Sequence, residues 1–258
     1  MLKYIVKILR FFENLLFPPK CVGCKELYQK NIFDGCDVPL CEKCRIKWEY
    51  EKLDICPDCG LEMTVCNCGS KLLDKLGVDS FIKLVNYSAT NKSVGKSALL
   101  YLKRHKNKKA FDYFASQLSY ASVGNLKRSE CQKAVVAYVP RGRKSLVEYG
   151  FDQSRELAKR LATLCGAELV CLFKRTPKRS SDQKKLGKKE RLENAKGLYA
   201  LNTKMLKKLE DADCVLIVDD VLTSGASLGG CILKLKEVYN KKVICVTVAR
   251  TGKKRKNS

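Results

Sequence analysis

Histidine and long hydrophobic runs are scarce in this sequence, and both absences restrict what the protein can be. Its 258 residues include one histidine, His105, which lies outside the cysteine-rich segment. A metal site among the clustered cysteines would therefore use thiolates alone. No apolar run approaches the about 18 residues that a membrane-spanning helix needs, so the sequence predicts no membrane span.

The N-terminal segment also lacks the features of a secretory signal. Charged residues interrupt the apolar ones throughout residues 1–17, and no small-residue cleavage site precedes the first cysteines. We therefore expect a cytoplasmic protein. Apolar residues recur there at helical spacing, which predicts an amphipathic helix over residues 1–17. We favour packing of this helix on its own protein over binding to a membrane surface.

Acidic residues are few, since 27 Asp and Glu face 51 Lys and Arg, which gives a formal charge of +24. Residues 1–70 hold ten of each sign, so the surplus lies entirely further along the chain. It concentrates in residues 103–109, 174–191 and 250–256. Such stretches bind polyphosphates or nucleic acid with salt-dependent affinity. A lysine-rich composition of the kind that A/T-rich genomes produce would give the same surplus, so both interpretations stay open.

Hydrophobic residues make up 45% of the chain, enough for a core, and from about residue 78 strand-length apolar runs alternate with amphipathic helices. The predicted strands cover residues 78–87, 134–139, 168–173, 214–218 and 243–248, and the predicted helices cover 92–104, 109–122, 154–165 and 226–239. This alternation predicts an α/β fold, a mostly parallel sheet with helices on both faces. Residues 174–197 lack an apolar pattern, which indicates a mobile functional loop or disorder.

The 15 cysteines are unevenly distributed, because nine of them lie between Cys21 and Cys68. An odd number of cysteines, many in close pairs, does not fit a secreted disulfide scaffold and favours metal ligation. The other six are isolated in the chain, and we expect them to act mainly as small buried hydrophobic residues: Cys131, Cys165, Cys171, Cys214, Cys231 and Cys245.

The close pairs predict two structural zinc sites in a small module over residues 18–70. They are Cys21 with Cys24, Cys41 with Cys44, Cys56 with Cys59, and Cys66 with Cys68. A short gap lets both thiolates of a pair reach one metal, and two pairs complete a tetrahedron. A sequential and an interleaved assignment use the same residues, and iron–sulfur binding is the less favoured alternative. The unpaired Cys36 could replace one ligand, although we do not expect it to.

Residues 215–227 combine an apolar strand, an acidic pair and a small, hydroxyl-rich loop that opens a helix. Backbone N–H groups at a helix start form a cradle for phosphate. The carboxylates of Asp219 and Asp220 at the strand's end can take sugar hydroxyls or a magnesium ion. The lysine-containing motif of a nucleotide-triphosphate P-loop is absent, which excludes that class of site.

This stretch resembles the phosphoribosyl-diphosphate (PRPP) binding motif of type I phosphoribosyltransferases. A cysteine-rich module placed before such a domain resembles the ComF family of competence-associated proteins, with its double zinc ribbon. Three further segments are similar to that family: residues 16–21, Val139-Pro140 with Gly150-Phe-Asp-Gln153, and the loop residues Arg175, Thr176, Gln183, Arg191 and Asn194. Together with the patterns described above, this resemblance divides the chain into an N-terminal amphipathic helix over 1–17, a double zinc ribbon over 18–70, a type I phosphoribosyltransferase-like domain over 71–250 and a basic tail over 251–258.

The resemblance also assigns roles to residues of the PRPP site. Asp219 and Asp220 would be the catalytic pair that contacts the ribose hydroxyls, with magnesium bound alongside PRPP. The other implied ligand-binding residues are Thr223, Ser224, Gly225, Ala226 and Ser227 for the 5′-phosphate, Arg141, Gly142 and Arg143 for pyrophosphate, and Gln183 and Arg191 in the closing loop. Two positions depart from the family pattern, because Tyr149 stands where many relatives have arginine and Asp152 replaces asparagine.

Two functions from different classes follow. The resemblance implies a protein that handles single-stranded DNA in natural transformation, with PRPP or a related ligand and a competence helicase as a candidate partner. The alternative is an active phosphoribosyltransferase that transfers phosphoribose to a nucleobase or small amine. No segment stands out as a nucleobase pocket. The intact acidic pair and loop argue against a third interpretation, a zinc-stabilised adaptor with an inactive site.

Overall fold

A parallel five-stranded sheet lies at the centre of the molecule. The computed structural model describes residues 16–28, 38–87, 93–128, 131–176 and 197–251. Most of the predicted N-terminal helix, Cys36, Gln183, Arg191 and the tail beyond residue 251 lie outside the described residues.

The sheet contains β1 (Ser80–Asn86), β2 (Ala134–Tyr138), β3 (Glu168–Leu169), β6 (Cys214–Leu222) and β7 (Lys242–Arg250). Their spatial order is β1-β7-β6-β2-β3, and all neighbours run parallel. A separate antiparallel ribbon joins β4 (Phe173–Arg175) to β5 (Tyr199–Leu201). The two strands of this ribbon flank the long basic segment that the sequence predicts to be a loop.

Helices cover both faces of the sheet. They are α1 (Glu42–Lys52), α2 (Lys71–Lys75), α3 (Val94–Arg104), α4 (Lys108–Arg128), α5 (Arg143–Tyr149), α6 (Gln153–Cys165) and α7 (Ala226–Lys236), with a 3₁₀ helix at Thr203–Leu209. In β6, Leu216 and Val218 belong to one apolar cluster, while Val215 and Ile217 belong to a second cluster on the opposite face. This two-sided burial confirms the predicted α/β fold. Within the described residues, no helix combines the length and apolar character needed to cross a membrane.

The strand predicted over residues 168–173 is wrong in one respect, because it is divided between two elements. The backbone N–H of Val170 still bonds to the carbonyl of Val136 (2.8 Å), but the carbonyl of Leu172 accepts from Asn202 beside the ribbon (2.7 Å). The chain therefore leaves the sheet after β3. The apolar residues of this segment are buried both in the sheet and in the ribbon, so the periodicity of the sequence does not show where β3 ends and β4 begins.

The cysteine-rich segment shares a core with the sheet. Trp48 in α1 is fully buried, and its ring meets Phe114 of α4 edge-on at 5.2 Å between centroids. The carboxylate of Glu51 accepts hydrogen bonds from the backbone N–H groups of Val94 (2.7 Å) and Gly95 (2.8 Å) at the start of α3. The cysteine-rich segment thus caps a helix of the larger domain as well as packing against it.

Candidate functional site

A cavity of about 420 Å³ lies at the carboxyl-terminal edge of the sheet, where ligands bind in open parallel α/β folds. Its lining is formed by the ends of β1, β2 and β6, the starts of α6 and α7, and the ribbon. The lining residues are Tyr87, Lys103, Val139, Pro140, Arg141, Gly142, Ser145, Gln153, Ser154, Arg175, Tyr199, Asp219, Asp220, Val221, Thr223 and Ser227.

The acidic pair is held by hydrogen bonds from the start of α6 and from its own backbone. Ser154 Oγ donates to Asp219 Oδ1 (3.1 Å), and Gln153 Nε2 donates to Asp220 Oδ2. Backbone N–H groups complete the arrangement, from Asp220 to Asp219 Oδ1 (2.9 Å) and from Val221 to Asp220 Oδ1 (2.7 Å). Both carboxylates are therefore fixed in orientation at the cavity wall.

The electrostatics of this pair fit a divalent cation. Burial, followed by the charge of the adjacent Asp220, raises the pKa of Asp219 well above its usual range. A bound dication or a set of sugar hydroxyls would favour the ionised form. Oxygen ligands of this kind are those that magnesium prefers, so Asp219 and Asp220 could hold a magnesium ion.

The loop between β6 and α7 brings the start of a helix to the cavity and could hold a phosphate. Gly225 precedes α7 with φ of +80°, a left-handed conformation that favours glycine. Thr223 and Ser227 face the cavity on either side of this turn. Ser224 Oγ accepts a long hydrogen bond from the N–H of Ala226 (3.4 Å). The first N–H groups of an eleven-residue helix thus lie beside the cavity, where they favour an anion.

Three cationic side chains line the cavity: Lys103, Arg141 and Arg175. Arg141 also has a structural role. Its Nη1 donates to the carbonyl of Phe151 (3.2 Å) and its Nη2 to the carbonyl of Lys103 (3.1 Å). Its guanidinium also lies 4.5 Å from the centroid of the Tyr149 ring. Tyr149, which stands where many members of the resembling family have arginine, therefore supports Arg141 by stacking.

Arg175 brings a second guanidinium to the loop that follows β2. Its guanidinium carbon lies 5.6 Å from the centroid of the Tyr199 ring. A Cβ atom placed on Gly142 would lie only 3.4 Å from that carbon, so the side chain rests against the Gly142 backbone. Burial raises the pKa of Tyr199 to about 12, which keeps this supporting phenol neutral. Arg143, in contrast, is exposed at the start of α5 and does not line the cavity.

Most of the predicted site residues that the structure describes come together here, and several others join them. Asp219, Asp220, Thr223, Ser227, Arg141 and Gly142 line the cavity, and Ser224–Ala226 form the turn beside it. The polar, charged and aromatic lining residues for which the sequence gave no site role are Tyr87, Lys103, Ser145, Gln153, Ser154, Arg175 and Tyr199. Of these, Gln153 and Arg175 already stood in the segments that carry the family resemblance.

The first cysteine site consists of Cys21, Cys24, Cys41 and Cys44, whose Sγ atoms all lie within 4.8 Å of one another. The Sγ atoms of Cys24 and Cys41 are 3.8 Å apart, close to the about 3.8 Å edge of a zinc–thiolate tetrahedron with 2.3 Å bonds. Backbone N–H groups of Gly23 (3.3 Å) and Cys41 (3.2 Å) donate to the sulfur of Cys21. These four thiols could hold one zinc ion.

The second cysteine site consists of Cys56, Cys59, Cys66 and Cys68, again with all Sγ atoms within 4.8 Å. Two cations of the larger domain reach it. Arg250 Nη1 donates to Cys56 Sγ (3.6 Å) and its Nη2 pairs with Asp58. Lys83, buried in β1, donates to the carbonyl of Cys66 (2.5 Å). These four thiols could hold a second zinc ion, so the structure brings the cysteine pairs together in sequential order.

The thiols of the second site do not titrate alike. Burial raises the pKa of Cys56, but hydrogen bonds from the Asp58 backbone and the Cys66 side chain outweigh it and lower that pKa to about 7. Burial and the neighbouring thiols raise the pKa of Cys68 to about 12. Several thiolates cannot easily share this volume on their own, and a divalent metal is the partner that lets all four ionise.

Comparisons with known proteins identify the class of the domain. The family model described as the phosphoribosyl transferase domain matches residues 150–258. A solved structure of a purine phosphoribosyltransferase from Pyrococcus horikoshii is 18% identical, with a TM-score of 0.32, over 55% of this chain and 85% of that one. The search of curated proteins gives no match. The chain therefore contains a phosphoribosyltransferase-type domain, preceded by a cysteine-rich module with two groups of four thiols that could bind zinc.

Proposed function

We propose that the cavity binds PRPP together with magnesium. The observation that carries this proposal is the convergence, in one cavity, of the Asp219–Asp220 pair, the start of α7 and the side chains of Arg141 and Arg175. The carboxylates take the ribose hydroxyls and magnesium, and the loop from Thr223 to Ser227 takes the 5′-phosphate. When bound, magnesium supplies positive charge to the diphosphate.

We further propose that the protein is ComF-like and handles single-stranded DNA in natural transformation, within the reducing cytoplasm that free thiol ligands require. Lys103 supports this proposal because it lines the cavity and begins the basic stretch 103–109. Within that stretch, Lys103, Arg104 and His105 are exposed, and the His105 ring lies 4.6 Å from the Tyr101 ring. Backbone phosphates would follow the cations, and bases could stack on the rings. A competence helicase is the proposed protein partner.

The DNA proposal is tested by neutralising this stretch. In the Lys103→Gln/Arg104→Gln double variant, we expect weaker binding of a labelled single strand. The slope of log K against log salt should fall in magnitude by about 1.4, because each lost phosphate contact accounts for about 0.7. The matched control neutralises Lys204 and Lys207, two exposed lysines of the 3₁₀ helix, and should leave both quantities unchanged. Unchanged affinity and slope in the double variant would contradict DNA binding at this stretch.

A second candidate function is phosphoribosyl transfer, which the intact acidic pair and phosphate loop favour. An acceptor nitrogen would form a bond to C1 of the ribose as the C1–O bond breaks, and diphosphate would leave with the bonding electrons. Arg141 and Arg175 would stabilise the charge that develops on the leaving diphosphate. The measurement is diphosphate release from PRPP with candidate nucleobases and amines. Release must depend on magnesium and disappear in Asp220→Asn if this function is correct.

We also propose that zinc fills both cysteine sites and that its role is structural. All four protein ligands of each site are cysteines, so no coordination position is left open for a substrate. Elemental analysis of the purified protein should give two zinc ions per chain. One ion per chain, or iron with a visible charge-transfer absorption, would contradict this assignment.

A further inference from the structure

The second cysteine site is joined to the phosphate loop through α2. This short helix begins at Lys71, and its N-cap residue Ser70 stands two residues after Cys68; the Oγ of Ser70 accepts a hydrogen bond from the N–H of Leu73 (3.4 Å). Ser70 and Leu73 lie directly against Gly225. A Cβ atom at Gly225 would lie 2.6 Å from Ser70 Oγ and 2.9 Å from Leu73 Cγ, so α2 forms one wall of the turn that opens α7.

A second connection runs through Arg250. This residue ends β7 and is paired in register with Leu222, the residue before Thr223. The N–H of Thr251 also donates to the carbonyl of Leu222 (2.8 Å). The guanidinium of Arg250 meanwhile contacts Cys56 Sγ (3.6 Å) and the carbonyl of Cys68 (3.4 Å). One side chain therefore links the cysteine site to the strand ends that carry the phosphate loop.

These contacts depend on how the cysteine segment is folded. A five-residue helix has no stability of its own and persists only through packing and a fixed N-terminus. As a ligand of a bound metal, Cys68 would fix the chain two residues before the N-cap Ser70. The first cysteine site has a different position, because Cys21 and Cys44 belong to the apolar cluster on the opposite face of the sheet from Leu73.

We propose that metal binding at the second cysteine site and phosphate binding at the Thr223–Ser227 loop are thermodynamically linked. The metal holds α2 and Arg250 in the positions that support the loop, and a phosphate in the loop in turn retains the metal, since linkage is reciprocal. Leu73 and Arg250 are the positioning residues of this link. The inference rests on the proposed function that the loop binds the 5′-phosphate of a phosphoribosyl ligand.

The test follows zinc release from the full-length holoprotein into a chromogenic chelator, with ribose 5-phosphate as the probe. We expect two kinetic phases of one ion each, and the probe should slow only one of them, by about fivefold or more. In Cys24→Ser, which removes a ligand of the first cysteine site, the slowed phase should remain. In Leu73→Ala the slowing should disappear, and the conservative Leu73→Met variant should restore it.

Arg250→Gln is the second variant, since it leaves the apolar contacts of α2 intact and should also reduce the slowing. A calorimetric titration of ribose 5-phosphate on the same sample separates the outcomes. Binding of the probe without any change in either phase, or an equal change in both phases, would overturn the linkage and leave the proposed function standing. Absence of probe binding would overturn the proposed function and the linkage with it.

Discussion

The two cysteine sites have the same ligand chemistry but opposite surroundings. The first lies against apolar side chains, with Cys21 and Cys44 buried in the cluster that also contains Trp48 and Phe114. The second lies near the carboxyl end of β7, where Arg250 and Lys83 contact it. The difference teaches that two similar groups of four thiols can lie in different surroundings, one within the apolar core and the other beside charged side chains at the edge of the sheet.

The largest expected effect is a loss of stability at the first cysteine site, and it tests whether that site belongs to the apolar core. Replacing Trp48 by alanine empties a fully buried position beside the first cysteine site and should lower the free energy of unfolding by about 3–5 kcal/mol. Trp48→Phe, which keeps an aromatic ring against Phe114, should lose markedly less. Thermal unfolding of the zinc-loaded protein measures both variants. Equal midpoints for Trp48→Ala and the wild type would show that the first site does not share the core.

The next effect concerns the joint between the cysteine-rich segment and α3. Glu51→Ala removes a carboxylate that accepts from two backbone N–H groups and from Ser93 Oγ (3.0 Å). We expect a loss of about 1.5–3 kcal/mol in unfolding free energy, the usual range for hydrogen bonds to a charged group. The matched control is Glu49→Ala, because the Glu49 side chain is about half exposed and its ion pair with Lys52 should contribute only about 0–1 kcal/mol. Similar losses in the two variants would contradict a capping role.

A smaller effect on stability tests the charged surroundings of the second cysteine site. Arg250→Gln, Asp58→Asn and the double variant form a cycle whose coupling energy in unfolding should be about 1 kcal/mol, since Asp58 remains partly exposed. Each variant should release zinc faster from the second site than the wild type does. A change in the zinc-release phase of the first cysteine site instead would show that Arg250 and Asp58 do not stabilise the second one.

The smallest expected effect on stability is a gain rather than a loss, and it concerns Asp219. The raised pKa of Asp219 means that its ionised form is disfavoured in the folded state, so this group lowers stability as pH rises above the unfolded value of an aspartic acid. Asp219→Asn should therefore raise the unfolding midpoint at neutral pH, by about 2–4 °C, while it abolishes magnesium-dependent PRPP binding. A scan at acidic pH serves as control, because the midpoints of variant and wild type should converge there. A lower midpoint at neutral pH would show that the carboxylate is a net stabiliser.

The sequence predicts those parts of the candidate site whose residues lie close together in the chain. The cysteine spacing predicts the two groups of four thiols that the structure brings together. The acidic pair and the loop before α7 are also recognisable from the sequence, although β6 continues past Asp219 and Asp220 to Leu222. The contacts that bring other residues to the site are long-range, such as Arg250 with Asp58, Arg175 against Gly142, and α2 against Gly225. No periodicity or spacing encodes them, because they arise from how the sheet, the ribbon and the cysteine module pack together.

Helix α5 is an element of the fold that apolar periodicity likewise does not predict. It was not predicted, and its residues include none that is fully buried, so it has no apolar stripe to reveal it. It is set instead by its ends, between the Gly142 turn and Gly150, whose φ of +74° closes the helix. The elements whose bounds were predicted well, such as β2 and α6, are those whose apolar residues face the two clusters, whereas β6 extends four residues beyond its predicted end at residue 218.

The most direct test of the central claim is a calorimetric titration of PRPP into the zinc-loaded protein, with and without magnesium. We expect one PRPP per chain, tighter binding with magnesium, and loss of binding in Asp220→Asn while that variant keeps both zinc ions and its fold. Absence of binding heat in the wild type under both conditions, at protein concentrations that would detect micromolar affinity, would contradict the assignment of this cavity as a PRPP site.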